Sequence, residues 1–148
     1  MAKGDQLVID NVNEILEGIH CDADRNELTV DTMCVSANDM MRVCGGCGLV
    51  RMVPARIAGV SVLVLGKDMK ALEKAGIALS GRNSLTVEGK VKEDDIFGSC
   101  MLLGYENSRM RSLTRTESKR ILATAKGMQF TSEGGRTCLC LTGLEMAR

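Results

Sequence analysis

The feature that most constrains the fold is the run of aliphatic residues from Val60 to Leu65. The run is too short for a buried helix, and its β-branched content is typical of a strand buried on both faces. Gly66 interrupts it, and the residues from Lys67 to Ala75 have the pattern of a helix ended by Gly76. A buried strand that leads directly into a helix predicts an α/β layer at the centre of the chain.

Three further segments have helical signals. Gln6 to Glu17 places apolar residues at helical spacing and acidic residues on the opposite side, so it is predicted to be an amphipathic helix. Ser36 is a candidate N-cap for a short helix over Met40 to Cys44. Thr114 to Lys126 begins with a capping-box pattern, in which an acidic residue follows the N-cap threonine by three positions.

Alternating or β-branched segments predict the strands. They are Glu27 to Val35, Leu49 to Val53, Ser84 to Val91, Met128 to Thr131 and Thr137 to Thr142. The last two are predicted to form a hairpin, with a turn at Glu133-Gly134-Gly135. Asp22 to Asn26 has turn composition, and Pro54 is expected to end the strand before it. Ile96 to Leu103 fits a helix or a strand.

The chain has 148 residues, which is the usual size of one domain. We therefore expect a single compact domain over residues 1–148, of the α+β or α/β class, with a mixed sheet and about three helices. The core must be aliphatic, because aromatic residues make up only 2% of the chain. This shortage of aromatic rings argues against single-stranded nucleic acid as a ligand, since its bases usually stack on them.

Charge is unevenly distributed in a chain whose net charge is zero. Residues 1–40 contain nine acidic and two basic side chains, giving −7, and the remainder carries +7. Two regions of opposite charge are expected to pack together, within a subunit or between subunits. A basic face for an anionic partner is the alternative, although zero net charge gives weak long-range attraction for nucleic acid.

The chain contains seven cysteines and shows no secretory leader or long apolar stretch. This pattern predicts a cytoplasmic protein with reduced or metal-bound thiols and no membrane segment.

The motif Cys44-Gly-Gly-Cys47 is the first candidate site. Thiols separated by two residues can both reach one metal ion, and glycines let the backbone wrap around it. Cys138 and Cys140 would point to the same side of a strand, so a four-cysteine site for zinc or an iron–sulfur cluster is one hypothesis. Against it, Cys47 and Cys138 lie about ninety residues apart, whereas strong zinc motifs have closely spaced pairs.

The same cysteines allow other interpretations. Cys34 or Cys100 could replace a member of the metal set, or the cysteines could simply be small core residues. A redox dithiol at Cys44 and Cys47 is less favoured, because the predicted helix precedes the motif and presents its negative end to it.

A basic row on the capped helix is the second candidate site. Arg115, Lys119 and Lys126 follow one helical flank, within a segment from Arg109 to Lys126 that holds six basic residues and one acidic residue. Such a row could bind an anionic ligand, and the alternative is a solvated helix face beside the core.

Nucleophilic catalysis has poor support in the sequence. His20 is the only histidine, and its neighbour Cys21 would point to the opposite face of a strand. A histidine in this position is more typical of a cap or a surface residue. No dinucleotide-binding or P-loop motif is present.

These observations favour a non-enzymatic regulatory or assembly protein that self-associates and binds a protein or a small anionic ligand. The alternatives are a cysteine-ligated zinc or iron–sulfur protein and an enzyme without a recognisable motif.

Overall fold

A computed structural model describes residues 9–22, 25–44, 50–68, 71, 74–76, 83–86, 96–131 and 137–146. Only the backbone is described for 83–86, 96–98, 127–131, 137–140 and 146. The strands are β1 (Ile15–Asp22), β2 (Glu27–Cys34), β3 (Val50–Ile57), β4 (Val60–Asp68), β5 (Asn83–Thr86), β6 (Ile96–Glu106), β7 (Arg109–Arg111), β8 (Gly127–Thr131), β9 (Thr137–Leu141) and β10 (Glu145–Met146). The helices are α1 (Ala37–Val43) and α2 (Arg115–Thr124).

One mostly antiparallel sheet joins these ten strands. β4 lies between β3 and β6 and is antiparallel to both. The other edge of β6 pairs in turn with β5, β1 and β7, so β6 connects the ends of the sheet. The strands β5 and β9 form a parallel pair, and β9 continues into an antiparallel pair with β8.

The predicted α+β or α/β class with about three helices is therefore wrong. Two helices, α1 and α2, are described over their full length, and the strand that was expected to start a βα layer has antiparallel neighbours on both sides. The antiparallel pairing of β3 with β4 results from a two-residue turn at Ala58-Gly59. Both residues have positive φ, 52° and 76°, and the turn leads the chain directly back into β4.

The central strand itself was predicted correctly. Val62 and Val64 of β4 face one apolar cluster, whereas Leu63 and Leu65 face another, and all four are buried. On β6, Leu102 shares the first cluster, and Met101 and Leu103 share the second. Since both faces are covered, the sequence shows a continuous apolar run instead of alternation.

The predicted helix over Gln6 to Glu17 is wrong where the structure describes it. Residues 9–14 are irregular, Asn13 has a φ of 70°, and Ile15 to Glu17 begin β1. Val12 and Ile15, which belong to the predicted apolar stripe, are 62% and 70% exposed, so their helical spacing does not mark a buried face.

The ends of other helices and strands also differ from the prediction. Lys67 and Asp68 end β4 instead of opening a helix. Ala71 and Lys74 are helical, and the Ala71 N–H donates to Asp68 Oδ1 at 3.1 Å. Pro54 lies inside β3, where its missing N–H is tolerated because the described residues of β10 pair with Ala55 and Arg56 and not with Pro54. The ambiguous segment Ile96 to Leu103 is part of β6.

Several predictions are confirmed. Glu27–Cys34 is a strand, Ser36 caps α1 by accepting a hydrogen bond from the Asp39 N–H, and β8 and β9 form a hairpin. The predicted strand from Ser84 is confirmed over Asn83–Thr86, and its remainder, residues 87–91, lies outside the described residues. The glycines after α1 and the turn at residues 133–135 also lie outside them. Neither described helix has the length and apolar character needed to cross a membrane.

Gly18 provides a test of how closely β1 packs on β6. A Cβ at this position would clash with the backbone oxygen of Leu102 and would lie 2.9 Å from a methyl group of Leu103. We expect Gly18→Ala to lower the free energy of unfolding by about 2–3 kcal/mol, measured by urea denaturation, because a backbone oxygen cannot move aside. Gly104→Ala should cost less, since there the nearest atoms belong to the Arg111 side chain. Equal losses would contradict this packing argument.

The turn between β3 and β4 provides a second test. Ala58 adopts a left-handed conformation that asparagine tolerates better. Ala58→Asn is expected to raise the free energy of unfolding by about 0.5–1 kcal/mol. Gly59→Ala is the control and should lower the free energy of unfolding, because Gly59 has a φ of 76° and an added Cβ would lie 2.9 Å from Arg120 Nη2. A loss of stability in Ala58→Asn would contradict the turn assignment.

Candidate functional site

The start of α2 is fixed by a local network of charged hydrogen bonds. Thr114 accepts a hydrogen bond from the Glu117 N–H at 3.1 Å, and Glu117 accepts one from the Thr114 N–H at 2.9 Å. Arg111 also donates to both Glu117 carboxylate oxygens, at 2.8 and 2.9 Å. The Arg111 guanidinium, together with the Thr114 N–H, lowers the pKa of Glu117 to about 2.

This network divides the predicted basic segment into paired and exposed cations. Arg111 is occupied by Glu117 and Glu106, and Arg109 lies 3.1 Å from an Asp10 oxygen. Arg120 crosses the β3–β4 turn and donates to the Ala58 carbonyl at 2.6 Å. These contacts hold α2 against the sheet.

Arg115 and Lys119 differ from these arginines. They lie one helical turn apart on the outer side of α2, both are exposed, and within the described residues neither side chain has an ion-pair or hydrogen-bond partner. We call these two residues the α2 cation row. The helix ends at Thr124, so Lys126, although exposed, lies beyond the helix instead of on the predicted row.

The opposite side of α2 carries the apolar stripe predicted from the sequence. Ile121 and Ala125 are buried in the cluster that contains Val62 and Leu102, and Leu122 packs against it. Burial of this stripe orients the helix, and the cation row faces outward as a result.

The predicted metal set is described only in part. Cys44 is fully buried directly after α1, whereas Cys47 and the side chains of Cys138 and Cys140 lie outside the described residues. Of the two possible replacements, Cys34 is half-buried and Cys100 is buried. No group of three or more histidine, cysteine or acidic side chains suitable for a metal ion occurs in the described ranges. The four-cysteine site stays a prediction.

The structure also reveals a cysteine pair that sequence reasoning missed. Cys21 of β1 and Cys100 of β6 are opposite each other in the strand register, and both are fully buried. Hydrogen bonding to Cys21 and burial raise the pKa of Cys100 well above its usual value. Because both thiols are fully buried, they are packing groups in the core, and a reactive thiol would have to be accessible.

His20 connects β1 to the end of α1. Its Nε2 lies 2.9 Å from the carbonyl oxygen of Val43, the last residue of the helix, so the imidazole caps α1. Cys21 lies in the apolar cluster on the other face of the sheet, and the two side chains do not form a nucleophile–base pair. His20 was expected to be a cap or surface residue, but the helix it caps is α1.

A second charged cluster closes part of the outer edge of β2. Asp39 accepts a hydrogen bond from the Cys34 N–H at 2.6 Å, and Arg42 donates to the Thr32 carbonyl at 3.1 Å. The same two side chains form an ion pair of 2.6 Å, and the Arg42 guanidinium lowers the pKa of Asp39. These contacts occupy backbone groups that an unpaired strand would otherwise offer to another chain.

Comparisons with known proteins do not identify a family. No protein-family model matches the sequence, and no curated protein matches it. One solved structure is similar, described as "Crystal structure of small RNA methyltransferase HEN1", with a TM-score of 0.48 and 13% sequence identity. The match covers 82% of this chain and 20% of that chain, so the chain spans about a fifth of its length. This likeness assigns no function.

The Glu117 network makes stability dependent on acid pH. Because the pKa of Glu117 is lowered from 4.5 to about 2 in the folded state, its stabilising effect is complete above about pH 4.5 and is lost as the pH falls towards 2. We expect Glu117→Gln to lower the free energy of unfolding at pH 7 by about 1–2 kcal/mol.

The measurement is urea unfolding of the wild-type chain and of Glu117→Gln from pH 7 towards pH 2. The difference in their free energies of unfolding should diminish as the pH falls below about 4.5. Glu106→Gln is the control, because Glu106 contacts the same arginine but is largely exposed, and its loss should cost little. A constant difference at all pH values would contradict the assignment.

Proposed function

We propose that this protein is a non-enzymatic assembly or regulatory domain that binds an acidic partner through the α2 cation row. The observation that carries the proposal is the contrast between two sets of cations. Arg42, Arg109 and Arg111 each contact a carboxylate, whereas Arg115 and Lys119 are exposed without a described partner.

The rigidity of the helix supports this assignment. The capping box, the Arg111–Glu117 pair and the Arg120 contact fix α2 at its start and along its length. A ligand that binds Arg115 and Lys119 therefore has to order only those two side chains and not the backbone below them, which reduces the entropic cost of binding.

The charge pairs among the described residues stabilise the fold itself, and the α2 cation row differs from them in this respect. Glu117 and Arg111 close the start of α2, and Asp39 and Arg42 close the edge of β2. The α2 cation row has no such use within the described chain, so its charges are available to a partner.

The test uses fluorescently labelled poly-L-glutamate as the anionic probe, with binding followed by fluorescence anisotropy from about 20 to about 200 mM NaCl. We expect binding that weakens with salt, and a loss of about tenfold or more in the variant Arg115→Glu with Lys119→Glu. Lys74→Glu is the matched control, because Lys74 is an exposed cation on a different helical segment.

The proposal predicts that Lys74→Glu changes the affinity less than twofold, within the range of a single peripheral charge. Equal losses in the control and in the α2 variant, or affinity that does not depend on salt, would overturn it. Circular dichroism of each variant confirms that the fold is retained.

A further inference from the structure

The β1–β2 hairpin has a face that α2 leaves uncovered. Ile19 lies in the apolar cluster beneath α2, and the register places Val30 opposite Ile19 on the same face. Ile15 and Glu17 share this face because they are an even number of residues from Ile19. We call Ile15, Glu17, Val30 and Thr32 the open face.

The open face presents two large apolar side chains to solvent. Ile15 is 70% exposed and Val30 is 46% exposed. The other two large apolar side chains exposed in the described residues, Ile9 and Val12, precede β1 directly. All four therefore belong to the acidic first part of the chain, and such a concentration is typical of an interaction site.

The charge of the open face is complementary to that of the α2 cation row. Glu17 is exposed at its centre and has no ion-pair partner among the described residues. The backbone of Glu17 pairs with that of Leu113, next to the N-cap of α2. An acidic apolar surface and a basic helix surface thus lie side by side on the same side of the sheet.

A surface that carries both parts of a contact can bind a second copy of itself by a two-fold rotation. One rotation places the α2 cation row of each copy on the open face of the other, so the same contact forms twice. The edge of β2 is an inferior route for association, because Asp39 and Arg42 occupy its backbone groups near Thr32 and Cys34.

We infer that the acidic partner of the α2 cation row is a second copy of this chain, docked through Ile15, Glu17 and Val30. This inference rests on the proposed function, whose anionic partner it names. Apolar contact of Ile15 and Val30 supplies the driving force, and the pairing of Glu17 with Arg115 and Lys119 sets the orientation.

The experiment is sedimentation equilibrium of the full chain and of two charge-reversed variants, alone and mixed. The wild-type chain should be a dimer, and both Glu17→Lys and Arg115→Glu with Lys119→Glu should raise the dimer dissociation constant about tenfold or more. In the equimolar mixture each of the two contacts regains opposite charges, so the dimer should return. Because neither variant alone carries this combination, recovery reports contact between chains.

Glu27→Lys is the control, because Glu27 is exposed on the other face of the same hairpin and has the same charge change. Val30→Asp is a second test of the open face that does not depend on the folding of Glu17→Lys. A monomeric wild-type chain, unchanged masses in the variants, or no recovery in the mixture would each overturn the inference.

Poly-L-glutamate binding separates this inference from the proposed function. Monomeric Glu17→Lys keeps its α2 cation row and should bind the probe at least as well as the wild-type chain. If the row binds the probe but the masses do not change, the second copy is the wrong partner. If the probe does not distinguish the α2 variant from its control, the proposed function itself fails.

Discussion

The structure depends on the pairing of β4 with β6 between two apolar layers. Their hydrogen-bonded register places Val64 opposite Leu102 and Leu63 opposite Leu103, so each pair contributes to a different cluster. Truncation of one such buried leucine to alanine typically costs about 2–5 kcal/mol. The helix α2 covers one layer, while α1 and β2 contribute to the other, and the surface features of both helices follow from which side they bury.

The charged residues fall into two groups once the helices are in place. Glu117 with Arg111, and Asp39 with Arg42, neutralise each other while they satisfy the backbone at a helix start and at a strand edge. Arg115 and Lys119 complete no such network in the described structure. The zero net charge of the chain is therefore a sum over side chains that are ion-paired and cations that have no partner among the described residues.

The sequence was most informative where its signals are local. The strand at Val60, the cap at Ser36 and the capping box of Thr114 were predicted because a few neighbouring residues determine them. The direction of the strands next to β4 was not predictable, because it depends on a turn at Ala58 without the usual asparagine or glycine at its first position.

The N-terminal helix was a wrong prediction because its apolar spacing included Val12 and Ile15, which are exposed in the structure, and a pattern of residue types does not show which apolar residues are buried. At the candidate site, the exposure of Arg115 and Lys119 followed from the helical pattern, and the position of Lys126 did not, because the helix ends at Thr124. The pairing of Cys21 with Cys100 joins strands distant in sequence, and local patterns carry no information about it.

The uneven spacing of contacts along the chain also has a consequence for folding order. The β3–β4 and β6–β7 hairpins close through two-residue turns and lose little chain entropy. By contrast, Asn83 and Thr137 are far apart in sequence, with β6, β7, α2 and β8 between them, and they must meet before β5 and β9 can pair. Local hairpins are therefore expected to form first and the parallel pair last. Pairing of β5 with β9 would then be the slow step in folding, because contacts between residues distant in sequence form slowly.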